Sequence, residues 1–210
     1  MTKVNRPEVK AAARTSIKGN IGIFFLAVFI FICINAAASF IPYAGSIAVF
    51  IAEGAFTLGF AVMALKMGRD AKIELKDLFC GFNSFGSAFF LSLLTGIFII
   101  LWSLLFLIPG IIACFRYSMA YFILADNPDM KAMAAIKKSK EIMKGRKWEF
   151  FVFELSFFGW YLLGMITLGF AYIYIGPYME AAAAKFYDLI KNDTMYTSSP
   201  VKKIEEAPQA

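Results

Sequence analysis

The chain carries six apolar runs, approximately Ile21 to Ile41, Ile47 to Leu65, Ala88 to Ile108, Ile111 to Ala125, Phe150 to Ile166 and Phe170 to Ile190. An α-helix needs about 20 such residues to cross roughly 30 Å of hydrocarbon, so a chain built this way folds with lipid as its solvent. In that solvent every backbone N–H and C=O is paired internally, which makes helices the expected form of these runs. The fourth run is short, and the last two are parted only by Thr167-Leu168-Gly169, so five spans with one long tilted helix is the competing count.

Charge separates the two counts. Of the 21 Lys and Arg, all but Arg116 fall in four clusters: Lys3 to Lys18, Lys66 to Lys76, Lys131 to Lys147 and Lys185 to Lys203. The alternate joints, Pro42 to Ser46, Pro109-Gly110 and Thr167 to Gly169, are short and uncharged. The positive-inside rule places these joints outside and both termini in the cytoplasm, an alternation that only six spans satisfy. The expected localisation is therefore a cell membrane, crossed several times. The net charge of +6 is explained by this topology, with no motif for nucleic acid beside it. A basic start, an apolar run and Ala36-Ala37-Ala38 imitate a cleaved signal peptide, but the turn at Pro42 to Gly45 marks the first run as a permanent span.

Composition removes most chemistry. At 60% hydrophobic and 17% charged, the chain has no His at all, which excludes Ser-His-Asp triads and His-ligated zinc, haem or copper. Cys33, Cys80 and Cys114 lie in separate segments without CxxC spacing and read as reduced packing thiols. Gly81-Phe82-Asn83-Ser84-Phe85-Gly86 lacks the Lys of a phosphate loop. No metal and no cofactor is expected, and the expected function is non-enzymatic.

The sequence also repeats. Lys18-Gly19-Asn20-Ile21-Gly22-Ile23-Phe24-Phe25 returns as Lys144-Gly145-Arg146-Lys147-Trp148-Glu149-Phe150-Phe151, and Pro7-Glu8-Val9-Lys10-Ala11 returns as Pro128-Asp129-Met130-Lys131-Ala132. A weaker middle copy runs from Leu75-Lys76-Asp77 to Phe85-Gly86-Ser87-Ala88-Phe89-Phe90, giving a period of about 60 to 65 residues. The expected fold is an all-α polytopic membrane bundle, one domain over residues 1–192. It holds six transmembrane helices as three hairpin repeats (about 5–69, 70–126 and 127–192), each opened by a cytoplasmic amphipathic helix, with a disordered cytoplasmic tail over 193–210. All units begin on the same side, unlike the inverted repeats common in alternating-access carriers.

The surface helix of the third unit, Asp129 to Lys144, sets Ala132, Met133, Ile136, Ser139 and Met143 on one arc. With Lys131, Lys137, Lys138 and Lys144 opposite, and Arg146, Lys147 and Trp148 just beyond, it reads as lying in the inner interface against anionic lipid. A solvated basic helix packed on its own bundle is the alternative.

Several ordered motifs are shared with a known family: Arg116-Tyr117-Ser118, Ile123-Leu124-Ala125-Asp126-Asn127-Pro128, Ser139 with Met143 to Trp148, Leu155 to Trp160, Thr167-Leu168-Gly169, Pro177-Tyr178 and Phe186-Tyr187. Over about residues 5 to 190 the chain resembles a bacterial integral membrane family known as domain of unknown function nine-seven-five. It is more distantly similar to the membrane domain attached to some glycerophosphodiester phosphodiesterases. The resemblance implies a multi-span protein typical of Gram-positive bacteria, without an established activity, and carries over no catalytic residue.

Four ionisable residues inside the runs are candidates for a site: Glu53, Arg116, Glu154 and Glu180. Each charge there costs at least about 2.5 kcal/mol and should face protein or water. Glu53 and Glu180 hold corresponding places in their returning spans, with Arg116 one turn outward from the matching position near Ala120. If the returning spans share an axis, Glu53, Arg116 and Glu180 converge as a packing clamp or as a site for a substrate, ion or lipid headgroup. Glu154 is the weaker candidate, placed to reach the inner interface. Gly176-Pro177-Tyr178 is expected to interrupt the last span, and Ala55-x-x-x-Gly59 and Ser92-x-x-x-Gly96 allow close helix contact. The favoured function is contact with anionic lipids of the cytoplasmic leaflet or with a membrane-protein partner, including a second copy of the chain. The alternative is transport of a small solute or lipid headgroup through the Glu/Arg site.

Overall fold

The computed structural model describes residues 6–41, 44–105, 107–167 and 171–198, and among them every regular element is helical. The order is α1 (Arg6–Ser16), α2 (Ile21–Ser39), α3 (Ala44–Gly68), a 3₁₀ helix (Leu75–Ser84), α4 (Phe85–Leu105), α5 (Leu107–Tyr117), α6 (Ala120–Asp126), α7 (Ala132–Ile142), α8 (Lys147–Leu155), α9 (Phe158–Ile166) and α10 (Tyr172–Ser198).

Four stretches among the described residues are long and apolar enough to cross a membrane: Ile21–Ser39, Ala44–Gly68, Leu75–Leu104 and Lys147–Ile166. The remaining two expected spans differ for identifiable reasons. The fourth is divided into α5 and α6 by a turn at Ser118 and Met119, where the Ser118 hydroxyl donates to the Phe115 carbonyl at 3.0 Å. The sixth, within α10, carries Glu180, Lys185 and Asp188. The helix runs unbroken past Pro177, so the expected interruption at Gly176-Pro177-Tyr178 is absent. The break falls instead in the fifth run, where Ser156 and Phe157 separate α8 from α9. Residues 193–198 extend α10 into the stretch expected to be a disordered tail, and 199–210 lie outside the described residues.

Side chains are buried at one end of the bundle and bare at the other. Tyr178, Phe186 and Tyr187 of α10, Met63 and Met67 in the second half of α3, Met119 just before α6, Phe153 of α8 and Phe157 just after it are wholly enclosed. Phe40, Ile47, Phe50, Ile100, Leu104, Met165 and Ile166, on α2, α4, α9 and the first half of α3, stand exposed. So much bare aliphatic and aromatic surface is out of place in water and ordinary against lipid tails.

Backbones approach closely between α3 and the 3₁₀ helix. A Cβ on Gly59 would lie 2.0 Å from the Leu78 carbonyl oxygen, and one on Gly81 would lie 1.9 Å from that of Ala55. The Ala55-x-x-x-Gly59 pair is thus a packing seam, whereas Gly96 has nothing within 4 Å and forms none. The Pro109-Gly110 joint opens α5 rather than forming the turn, with Gly110 pressed against Ser103 of α4. Gly19 (φ +88°) and Gly145 (φ +81°) both take the left-handed conformation, just after α1 and α7. The Gly59→Ala variant should lose about 1–3 kcal/mol through overpacking. Gly96→Ala should be neutral or gain up to about 1 kcal/mol from helix propensity. Thermal unfolding in detergent measures both, and equal responses would contradict the seam.

Candidate functional site

Three helices from distant parts of the sequence meet in an ion network. Arg69, directly after α3, forks between two carboxylates. Its Nη1 and Nη2 donate to Asp126 Oδ1 and Oδ2 at 2.8 and 3.0 Å, and its Nε and Nη2 donate to Asp188 Oδ2 and Oδ1 at 3.0 and 2.7 Å. Lys191 adds a 2.6 Å contact to Asp126 Oδ2, and the Tyr187 hydroxyl donates to the same oxygen at 3.1 Å. Bidentate pairing is the strongest form such contacts take. Asp126 is nearly enclosed, and burial alone would push its carboxyl up. Arg69 and Lys191 outweigh that and hold it below its ordinary value. Arg69 is in turn held further above its ordinary value by its hydrogen bonds to Asp188 and Asp126.

Beside the network, Asp70 has a left-handed φ of 57°, an unusual state for a residue with a Cβ. It is held by the Ser16 hydroxyl at 2.5 Å and by Lys185 at 3.5 Å. None of these residues was a site candidate in the sequence, although Asp126 and Tyr187 fall in the shared motifs. The available signal was positional, since Arg69, Asp126 and Asp188 each close or follow a returning apolar run.

Two of the expected intramembrane residues do share a site. Glu53 and Glu180 line one cavity of about 430 Å³ together with Thr57, Ser118 and Tyr121. Its remaining walls include the rings of Phe31, Phe60, Phe122 and Phe150. Ala61 and Glu180 stand two helical turns, about 12 Å, before Arg69 and Asp188, and Phe122 stands one turn before Asp126. Phe122 also stacks on Tyr187 with centroids 5.7 Å apart, so this ring pair lies between cavity and network.

Arg116 does not join the two carboxylates. Its alignment with Ala120 assumed one continuous helix, and the turn at Ser118 and Met119 breaks that register. Arg116 instead lies on α5, which packs on α4, α7 and α8, and its carbonyl accepts from the Ser139 hydroxyl at 2.8 Å. Among the described residues, no ion pair joins Glu53, Glu180 or Arg116 to an opposite charge. Glu154 is half-buried and faces Lys10 of α1, whose ammonium donates to the Ser156 carbonyl at 2.8 Å. Burial and then Arg14 push Lys10 below its ordinary value, with Glu154 opposing them.

The basic surface also needs a correction. Ala132, Ile136, Ser139 and Met143 of the expected lipid-facing arc are buried against the bundle, and of that arc only Met133 is exposed. Arg146 is 4% exposed and paired with Asp193 and Glu149, which removes it from the surface set. Lys131, Lys137 and Lys144 are exposed, Lys138 and Lys147 are half-buried, and Trp148 is 74% exposed.

The model of a family described as "Protein of unknown function (DUF975)" matches residues 1–113 and 104–194. The chain belongs to this family. No curated protein and no solved structure matches it. As a DUF975 protein it joins a group whose activity is open, so its chemistry has to be argued from its own residues.

The network gives a pH test. Because Asp126 is depressed in the folded state, its contribution is fully present above the unfolded carboxyl value near 4 and is lost as pH falls through the lower folded value. At pH 7, Asp126→Asn should cost about 1–3 kcal/mol. The difference from the wild type, followed by thermal unfolding, should shrink below about pH 4.

Proposed function

We propose that this DUF975 protein is a non-enzymatic, multi-pass protein of a bacterial cell membrane that binds anionic lipid or a membrane partner through its basic cytoplasmic face. In this reading it crosses six times as three hairpins, with both termini inside. The reading is supported by the two Lys-Gly elbows, which share one left-handed glycine geometry at Gly19 and Gly145. It is supported too by the meeting of α3, α6 and α10, each the returning arm of one proposed hairpin, at Arg69, Asp126 and Asp188.

One observation carries the lipid contact. Most of the apolar arc of α7 is used up by the bundle, while Lys131, Lys137 and Lys144 stand exposed and the bare indole of Trp148 follows four residues after Lys144. Exposed cations beside an interfacial Trp are the combination that the headgroup layer of an anionic leaflet attracts, at about 1 kcal/mol per basic residue. A cleft of about 480 Å³ at the first elbow, lined by Lys18, Lys72, Thr15 and Asp70 among others, adds a second basic recess on the same reading. The absence of His from the sequence favours a binding role over catalysis.

The transport reading rests on a different observation, the cavity holding Glu53 and Glu180. The two readings separate by where substitutions act.

Topology is tested in a background lacking Cys33, Cys80 and Cys114. A cysteine placed at Ala44 should be labelled by an impermeant reagent in intact cells, and one at Lys72 should be protected; the reverse pattern overturns the proposed orientation. For lipid contact, native mass spectrometry of the full-length protein extracted from phosphatidylglycerol-rich membranes should show retained anionic lipid. Replacing Lys131, Lys137 and Lys144 together by Gln should remove most of it, and raising salt should weaken it, since screening acts over about 8 Å at physiological ionic strength. Equal retention of neutral lipid would contradict an electrostatic contact.

A further inference from the structure

The cavity between α3 and α10 was expected to contain its own cation, and it does not. Arg116, the only basic residue within the six apolar runs apart from Lys185, has been carried away by the turn between α5 and α6. What remains is a recess with Glu53, exposed, and Glu180, half-buried, on two different helices and without an ion-pair partner among the described residues. A carboxylate within an apolar bundle is stabilised by an opposite charge, and here the described residues supply none.

The walls narrow the chemistry. Phe31, Phe60, Phe122 and Phe150 line the same recess, with Ser118 and Tyr121 among them. Ring faces attract cations through their quadrupoles, most strongly where water is excluded, and they do not coordinate small hydrated metal ions. No group of three or more metal-ligating His, Cys, Asp or Glu occurs among the described residues. The volume of about 430 Å³ falls within the range for small-molecule sites. A recess that joins two carboxylates to aromatic walls selects a positively charged organic group over an anion or a bare metal ion.

We infer that the Glu53/Glu180 cavity binds an organic cation, of the quaternary-ammonium or lipophilic-onium class, with the carboxylates supplying charge and the rings supplying contact. The site is closed toward the Arg69 network by the stacked pair Phe122 and Tyr187. This inference is independent of the lipid reading, because none of the exposed lysines of α7 lines the cavity.

The test uses the full-length protein in lipid nanodiscs, titrated calorimetrically with tetraphenylphosphonium against an empty-nanodisc baseline, and in parallel with tetraphenylborate, of similar shape and opposite charge. Saturable binding of the phosphonium at one site per chain is expected, with none for the borate. Glu180→Gln and Glu53→Gln should each weaken it at least tenfold, and Arg116→Gln should leave it unchanged. Absence of saturable phosphonium binding, as a cavity neutralised only by protons would give, overturns the assignment. So do equal binding of the borate and undiminished affinity in either Gln variant. Should a Gln variant fail to fold, the comparison of phosphonium with borate on the wild type decides by itself.

Discussion

Arg69 is the joint on which the arrangement turns. One guanidinium engages Asp126 and Asp188 at once, so three helices that are far apart in the chain are held at one level. A planar fork can do this because its donors lie in fixed directions that match two carboxylates; a flexible ammonium could reach only one at a time with comparable geometry. Lys191 and Tyr187 satisfy what remains of Asp126, leaving that nearly buried carboxylate with four donated hydrogen bonds. Losing Arg69 would leave Asp126 with Lys191 alone for charge compensation, which is why the network matters more than an exposed surface pair would.

Around this joint, packing is tight where α3, α6 and α10 meet and loose where the helices carry bare apolar side chains. The difference follows from the solvent each end is suited to. Between helices in lipid there is no hydrophobic force, so association relies on close backbone approach and on polar contacts. Both are found together: Gly59 and Gly81 allow the 3₁₀ helix to press onto α3, and the Lys66–Asp77 ion pair at 2.6 Å closes the same contact. The exposed apolar ends of α2, α4 and α9 carry no such devices, as fits side chains suited to lipid tails.

The cavity follows from the same geometry. Holding three helices together at one level by an ion network leaves room above it where their side chains do not fill the gap, and Glu53 and Glu180 face that room. The proposed lipid contact and the inferred cation site therefore use different parts of the bundle. One is a basic face whose cations point outward, the other an acidic recess whose charges point in.

The apolar helices were legible in the sequence because run length and hydropathy are written in local terms. Run length, the sign of the charge at each joint and the Lys-Gly elbows all depend on neighbouring residues, and the left-handed Gly19 and Gly145 answer to that local reading. The carboxylate pair was legible as well, since Glu53 and Glu180 occupy matching places in their runs. What local reading could not supply was the register of helices against one another. Arg116 counted as a partner of those carboxylates only while α5 and α6 were one helix, and a single turn at Ser118 and Met119 undid the alignment. Arg146 counted as a surface cation until Asp193, far along the chain, was found beside it. The apolar arc of α7 had the right period, but period names a face without saying whether lipid or protein covers it. The sequence by itself determined which segments are apolar helices and where the chain elbows. Only the tertiary structure decided which charges pair, because pairing depends on a few ångströms between residues more than 50 positions apart.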